Sequence, residues 1–544
     1  MYIDVAFTRS RGKVYKRVLL RTSYREGKKV KHKTIANLSD QSDETIEAIR
    51  IALANKKDIN TFLANSSQPT QLTQGLSVGA LFTLAEEAKR ASLIAALGSG
   101  REGKLALWQI LARIIAQGSR LSAVRLAARH AVCDILNLEP FTEDDLYHNL
   151  DWLTMNQEKI EQALFKSKAA KRAINLFLYD VTSSYAEGEE NYYAEFGYNR
   201  DKKKGKRQIV IGLLTDHEGD PVSIEVFHGN TADTTTFIEQ IHKVSERFGV
   251  EKVIWVGDRG MIKKPQIDAL PEDAIYITAI TKPQMMTLLK SGKIHKEDFS
   301  DKIKEVADGG VRYILRRNPI RATEILQNQK GKIEALKHRI TEKRKYLQEH
   351  PKAKIEKARK DLLSYAKTLR IHKWIGINPT DLELNLDEEA RAEESFFDGC
   401  YVIKTNATAT PESTSQVIHD RYKDLSEVEW AFRTMKTSHL EVRPYYVRKD
   451  SRTEGHVLVV MLAYKLIRRL REAWKHLNLT VEEGVLELAE ISSLLQGENP
   501  KCQYVPKQSP MAYQLLKALD IQLPEVLPFK GEHVATRKKL EKRR

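Results

Sequence analysis

Two stretches decide the fold: Ile174-Asn175-Leu176-Phe177-Leu178-Tyr179-Asp180 and Val253-Ile254-Trp255-Val256-Gly257-Asp258. Each is a short, mainly apolar run of the kind that forms a strand covered on both faces, and each stops at an aspartate. Between them, 208–215 and 222–227 flank Asp216-His217-Glu218-Gly219-Asp220-Pro221, which reads as a hairpin with a longer loop. A helical stretch over 233–247 precedes the second run. A helical piece near 265–270 and a strand over 275–281 follow it. The order β-β-β-α-β-α-β predicts an α/β fold whose mixed sheet starts antiparallel and continues through parallel crossovers.

A carboxylate at the carboxyl end of such a strand faces the crevice above the sheet. On neighbouring strands, Asp180 and Asp258 can share divalent cations. Asp216 and Asp220, in the hairpin loop, read as turn formers instead. Two carboxylates rarely satisfy a pair of Mg²⁺ ions, which demand octahedral oxygen shells, so a third acid is needed. A helix predicted over 413–437 offers one. Tyr422, Leu425, Glu429 and Lys436 share one stripe of it, and Val428, Phe432 and Met435 form an adjacent apolar stripe that presses on the sheet. Helical spacing sets Glu429 at the edge of the buried face, leaves Glu427 solvated on the other side, and makes Asp424 a favourable charge near the helix start.

Outward from this core, the 544 residues allow several domains. With 41% hydrophobic and 30% charged residues, wholesale disorder is excluded. No apolar run of about 18 residues occurs, so no membrane span is expected. The opening Met1-Tyr2-Ile3-Asp4 lacks a secretory layout, and three scattered cysteines, Cys133, Cys400 and Cys502, argue against a disulfide framework or zinc cluster. A cytosolic protein is expected. The formal charge is +16, and it is clustered: residues 1–33 hold eleven Lys and Arg against Asp4 and Glu26. Lys202-Lys203-Lys204 with Lys206 and Arg207 form a second block, and residues 537–544 hold six basic residues in eight. Such blocks suit a phosphate backbone.

The organisation read from these patterns is a basic β module at 1–63, with strands at 14–20 and 30–38, and a polar linker at 64–77. A helical module follows at 78–166, able either to hold DNA or to pack on its neighbour. The first part of the core is 167–282. An insertion at 283–397 contains an amphipathic helical hairpin over 321–370, broken at Pro351. The second part of the core is 398–475, and a helical, basic tail occupies 476–544.

The run Tyr422-Lys423-Asp424-Leu425-Ser426-Glu427-Val428-Glu429-Trp430-Ala431-Phe432-Arg433-Thr434-Met435-Lys436 resembles the Tyr-x2-Arg-x3-Glu-x6-Lys motif of bacterial insertion-sequence transposases in the superfamily named after insertion sequence four. Asp180-Val181-Thr182 and Gly257-Asp258-Arg259-Gly260 are similar to that family's two catalytic aspartates with their flanks. So are Gly229-Asn230-Thr231-Ala232-Asp233, Arg443-Pro444-Tyr445-Tyr446-Val447-Arg448, Asn318-Pro319 and the basic opening. Together they most resemble the branch named after insertion sequence sixteen-thirty-four.

The resemblance implies an RNase H-like core, interrupted by the helical-hairpin insertion, with Asp180, Asp258 and Glu429 as a DDE triad holding two Mg²⁺ or Mn²⁺ ions. It implies a dimer on double-stranded DNA that cuts at terminal inverted repeats and joins the freed 3′-hydroxyls to target DNA. Tyr422 and Lys436 match positions that contact DNA near the cut. Arg433, Arg259, Arg200, Lys202, Lys203, Lys204 and Asn230 are further candidate DNA contacts. Two departures stand out: Leu425 occupies the motif's Arg position, and the insertion is helical where the best-known members are mostly β. Another RNase H-like nuclease such as a resolvase, or an inert DNA-binding descendant of a transposase, are the alternatives. Trp374, Trp430 and Trp474 read as packing residues, and His456 as a polar residue at the start of a helix.

Overall fold

The computed structural model describes residues 1–10, 13–54, 72–170, 174–188, 190–201, 203–250, 252–437, 440, 442, 447–497 and 500–535. Lys202, residues 443–446, much of the 64–77 linker and the basic stretch 537–544 lie outside these. The chain divides into two compact units, Met1–Gly75 with Ser493–Tyr504, and Leu76–Ser492 with Val505–Arg544.

The first unit contains an antiparallel sheet of three strands, Tyr2–Ser10, Lys13–Glu26 and Lys29–Asn37. The sequence reading had only the last two, the first of them at half its length and the second displaced by one residue. The first strand pairs residue by residue from Tyr2 with Arg21 to Ser10 with Lys13, and the Arg21 guanidinium meets Asp4 at 2.7 Å. Gly27 sits at φ +62° in the tight turn joining Glu26 to Lys29, a conformation that favours glycine.

The second unit is built on eight strands: β1 (Leu176–Tyr185), β2 (Gln208–Asp216), β3 (Pro221–His228), β4 (Ile254–Gly257), β5 (Ile275–Ala279), β6 (Lys304–Asp308), β7 (Val311–Arg317) and β8 (Cys400–Thr405). Their order is β6-β7-β8-β5-β4-β1-β2-β3. The first three form an antiparallel meander, β4 and β5 run parallel to β1, and β8, β7 and β6 continue antiparallel. Strands β6 and β7 fall inside the span read as insertion. Their charged residues and Gly309-Gly310 turn hide the alternation, yet they extend the sheet, and only the chain between Arg317 and Cys400 leaves it.

That excursion is the expected hairpin. Helices Pro319–Glu349 and Ile355–Thr368 close over Ile333, Leu336, Ile340, Ala358, Leu362 and Ala366, with Trp374 buried in the same cluster. Asn318 starts the first helix by accepting the Arg321 N–H at 3.1 Å, and Pro319 loses no helical bond there.

Residue alternation along β1 sorts two cores. Phe177, Tyr179 and Val181 face a cluster with Trp255 and with Phe237, Ile241 and Val244 of the helix Asp233–Phe248. Leu176 and Leu178 face the other, larger cluster, so Asp180 shares their side. The helix Asp450–Trp474 runs through that cluster, apolar all round and buried from Val457 to Ile467. The helices of 79–169, with Leu105, Trp108 and Leu150 fully buried, belong to the same continuous core. The helical module therefore packs on its neighbour.

Three expectations are revised. The helix predicted over 413–437 is two, Ser415–Lys423 and Leu425–Lys436, parted at Asp424. Asp216 does form the turn, its Oδ1 accepting the Glu218 and Asp220 N–H groups at 2.9 and 3.1 Å, but it and Asp220 do more than that: both are buried, Lys168 bridges them, and Lys465 reaches Asp220 at 2.7 Å. The two lysines hold the Asp220 carboxyl far below the usual range despite its burial. His456 is not a polar opening residue but a buried one in the second turn of its helix, bonded to Arg120 at 3.0 Å. Among the described residues, no helix is long and apolar enough to cross a membrane.

Gly455 marks where the Asp450–Trp474 helix crosses the helix Glu143–Ala169: a Cβ there would lie 2.3 Å from the Leu150 carbonyl oxygen. Gly331, by contrast, has nothing within 4 Å of that position and lies exposed in a helix. Gly455→Ala is expected to cost about 1–3 kcal/mol through overpacking, and Gly331→Ala to be stabilising by up to about 1 kcal/mol. Thermal melts of the two variants check both signs.

Candidate active site

The parallel pairing of β1 with β4 sets Leu176 opposite Ile254 and ends with Tyr179 opposite Gly257. Asp180 and Asp258 are each the next residue beyond that last pair, so the two carboxylates leave neighbouring strands at one level. Asp180 differs from expectation in lying inside its strand, since β1 runs on to Tyr185 along β2, where Asp180 faces Leu213. Gly257 permits the exit turn of β4: a Cβ would meet Ile262 at 2.8 Å. Asp258 and Arg259 emerge exposed from it.

Glu429 comes from the helix Leu425–Lys436, whose Val428, Ala431, Phe432 and Met435 are buried on the sheet. Behind it, the Arg471 guanidinium stacks on Trp430 at 3.6 Å from the ring centre, fixing the helix from its far side. Glu429 is exposed, yet its charge is felt at both Asp180 and Tyr422. Burial first, and then the Asp258 and Glu429 charges, push the Asp180 carboxyl up to about 7. The Val181 N–H, bonded to its Oδ1 at 2.8 Å, and the nearby Arg200 oppose the rise. Among the described residues, no three His, Cys, Asp or Glu side chains are close enough to hold a metal ion. The donor chemistry still suits one: hard carboxylate oxygens, one of them with its proton affinity lifted by burial and by neighbouring acids, are what a divalent cation relieves.

Tyr422 is half-buried between these groups. Burial, and next Asp258, raise its hydroxyl well above the usual range, against the pull of Arg259. It stays a hydrogen-bond donor at neutral pH. Lys436 is held by Asp201 at 2.9 Å, with both side chains largely buried. Arg200 is clamped by both oxygens of Asp233 at 2.6 Å, and its N–H donates to Ser183 Oγ at 2.9 Å. Asp233 and Asp201 were missed as partners. The signal was available for Asp233, which closes the Gly229–Asp233 motif, but its role depends on a fold-level meeting with Arg200.

Other candidates are more peripheral. Asn230 is an exposed turn residue, in a turn closed by the Thr231 N–H on the His228 carbonyl at 2.9 Å. Lys203 lies over the Tyr185 ring at 5.7 Å, and Lys204 and Arg433 are exposed. Leu425 is partly buried against the main core. Glu427, expected in solvent, is half-buried and presses on Gly219 in the β2–β3 turn.

The family model described as Transposase DDE domain matches residues 171–466. The model for the N-terminal domain of IS1634 family transposases matches residues 3–66. Among solved structures, the piggyBac transposase synaptic complex with hairpin DNA, seen by cryo-EM, is similar at a TM-score of 0.35 and 10% identity, over 71% of this chain and 69% of that one. No match is found among curated proteins.

The raised Asp180 carboxyl has a measurable sign. Its folded value of about 7 exceeds the ordinary 3.8, so the folded state binds more protons between those values. Stability conferred by the proton is complete below about pH 4 and is lost as pH rises through 7. Without divalent cations, Asp180→Asn is expected to melt higher than the unmodified protein at pH 8, by at most a few kcal/mol, and to match it near pH 4. Mg²⁺ should raise the melting temperature of the unmodified protein and leave the variant unmoved.

Proposed function

We infer the reaction from one premise: the chain belongs to the DDE transposases, of the IS1634 type. The finer proposal is that it cuts DNA at the terminal inverted repeats of its element and joins the freed 3′-hydroxyls to target DNA, with Asp180, Asp258 and Glu429 acting as one acidic centre. The observation that carries this reading is the β1–β4 register, which sends two carboxylates out at one level, with the charge of the Glu429 helix felt at Asp180. The antiparallel β1-β2-β3 meander extended through parallel β4 and β5 supports an RNase H-like core.

Asp180, Asp258 and Glu429 would hold two Mg²⁺ or Mn²⁺ ions. When bound, such ions neutralise charge on the attacking and leaving oxygens of a phosphodiester. Asp180 gives up its proton when it joins that centre. Tyr422, kept protonated by burial and by the neighbouring Asp258, donates its O–H to a phosphate oxygen beside the cut. Arg200 and Lys436, pinned by Asp233 and Asp201, present fixed positive charge without conformational search. Arg259, Arg433, Lys203, Lys204 and Asn230 line the approach of the backbone, with Lys202 in the same basic block. The exposed basic strands at the chain start and the helical region after them grip the ends, and a homodimer brings two ends together.

Asp180→Ala, Asp258→Ala and Glu429→Ala are each expected to abolish Mg²⁺-dependent strand cleavage while leaving end binding intact. A variant that cleaves at near-normal rate removes its residue from the centre. Strand transfer from pre-cut ends separates a transposase from a resolvase-like nuclease, which would hydrolyse but not join.

A further inference from the structure

The insertion has a separation of charge found nowhere else in the chain. Residues 321–370 hold 15 Lys and Arg against 6 Asp and Glu, whereas residues 371–399 hold 2 against 8. The acidic part is tied in near where the insertion joins the sheet: Gln329 donates to Asp398 at 3.1 Å, and Lys373 meets Glu394 at 2.9 Å. At the far end the balance reverses. Lys352 and Lys354 occupy the turn between the two long helices, and Lys357 and Lys360 are neighbours on the outer face of the second. All four are exposed and, among the described residues, none is in an ion pair, while Lys343 beside them is matched by Asp361 at 2.9 Å.

We propose that this lysine tip is a docking surface for the phosphate backbone of target duplex DNA. The proposal rests on the transposase reading above and adds a place where the second substrate is held. A helix of 31 residues is about 45 Å long at 1.5 Å per residue. The tip therefore meets a duplex roughly 13 base pairs from where the insertion leaves the sheet, at about 3.4 Å per pair. The tip reads charge, not sequence. Lysine is a point charge on a flexible stem, and the nearby forks of Arg344 and Arg359 donate to the backbone carbonyls of Asp381 and Ile377 at 2.8 and 2.7 Å. A surface blind to bases suits DNA of arbitrary sequence, whereas the element's ends need base contacts to be told apart. The acids nearer the sheet, Glu394 and Asp398 among them, repel the same backbone and keep the duplex at the tip.

The test uses the full chain with Lys352→Glu, Lys354→Glu, Lys357→Glu and Lys360→Glu combined, and a linear duplex without inverted-repeat sequence, titrated across about 50 to 200 mM salt. Each phosphate contact contributes about 0.9 to the slope of log affinity against log salt, so loss of four contacts is expected to lower its magnitude by about 3.6. Cleavage of an end-bearing duplex should stay at the unmodified rate, and transfer of pre-cut ends into the random duplex should fall at least about tenfold, in line with the lost contacts. If the reversed set does not fold, Gln at the same four positions reads the same slope. An unchanged slope overturns the proposal. A parallel loss of end cleavage also overturns it, by assigning the tip to the element's own ends, as does altered self-association with unaltered DNA binding. Failure of the unmodified chain to cut end-bearing DNA counts against the reaction proposed above and leaves the slope comparison readable.

Discussion

The pairing of β1 with β4 is the constraint on which the rest depends. Parallel strands carry side chains forward together, so two aspartates one step beyond a shared rung leave the sheet on the same side of the molecule. That costs something. Burial first, and then the neighbouring Asp258 charge, disfavour ionisation of Asp180, the more enclosed of the two, and raise its proton affinity. A fold arranged only for stability would have separated these groups or given Asp180 its own cation. Arg200 is near enough to help, but one of its outer nitrogens is held by both oxygens of Asp233. The unrelieved repulsion is what a bound divalent ion would remove.

Keeping such a centre requires rigid surroundings, and the second unit supplies them by burying the middle of one helix. Asp450–Trp474 is enclosed from Val457 to Ile467 and packs on the β1–β3 meander, the Glu429 helix and the helical layer of 79–169. At its middle, Lys465 enters the ion cluster of Asp216, Asp220 and Lys168 at the β2–β3 turn. Buried charges of this kind are costly to break, because loss of one partner strands the other. They fix the register between helix and sheet where apolar packing alone would let it slide.

The sequence made the sheet legible wherever strands were apolar runs ended by turn residues, and it made Asp180, Asp258 and Glu429 legible through local spacing and a family motif. What it hid was of two kinds. Some elements were masked by local chemistry: β6 and β7 carry alternating charges around a diglycine turn, and the strand Tyr2–Ser10 has little apolar content on one side. Other facts exist only in three dimensions. The break at Asp424 has no proline or glycine to announce it. The meetings of Lys436 with Asp201, Arg200 with Asp233 and Lys465 with Asp220 join residues from 33 to 245 positions apart. Periodicity cannot see such pairs, since it reports which way a side chain faces and not what it finds.

The insertion departs and returns through a single doorway. Arg317 and Cys400 are paired across β7 and β8, and the Asn318 N–H is bonded to the Gly399 carbonyl at 2.8 Å. Everything between hangs from adjacent ends of two strands already joined, so lengthening, shortening or exchanging it adds little loop-closure entropy. One appendage can thus be traded for another while the strand ends beneath it stay where they are.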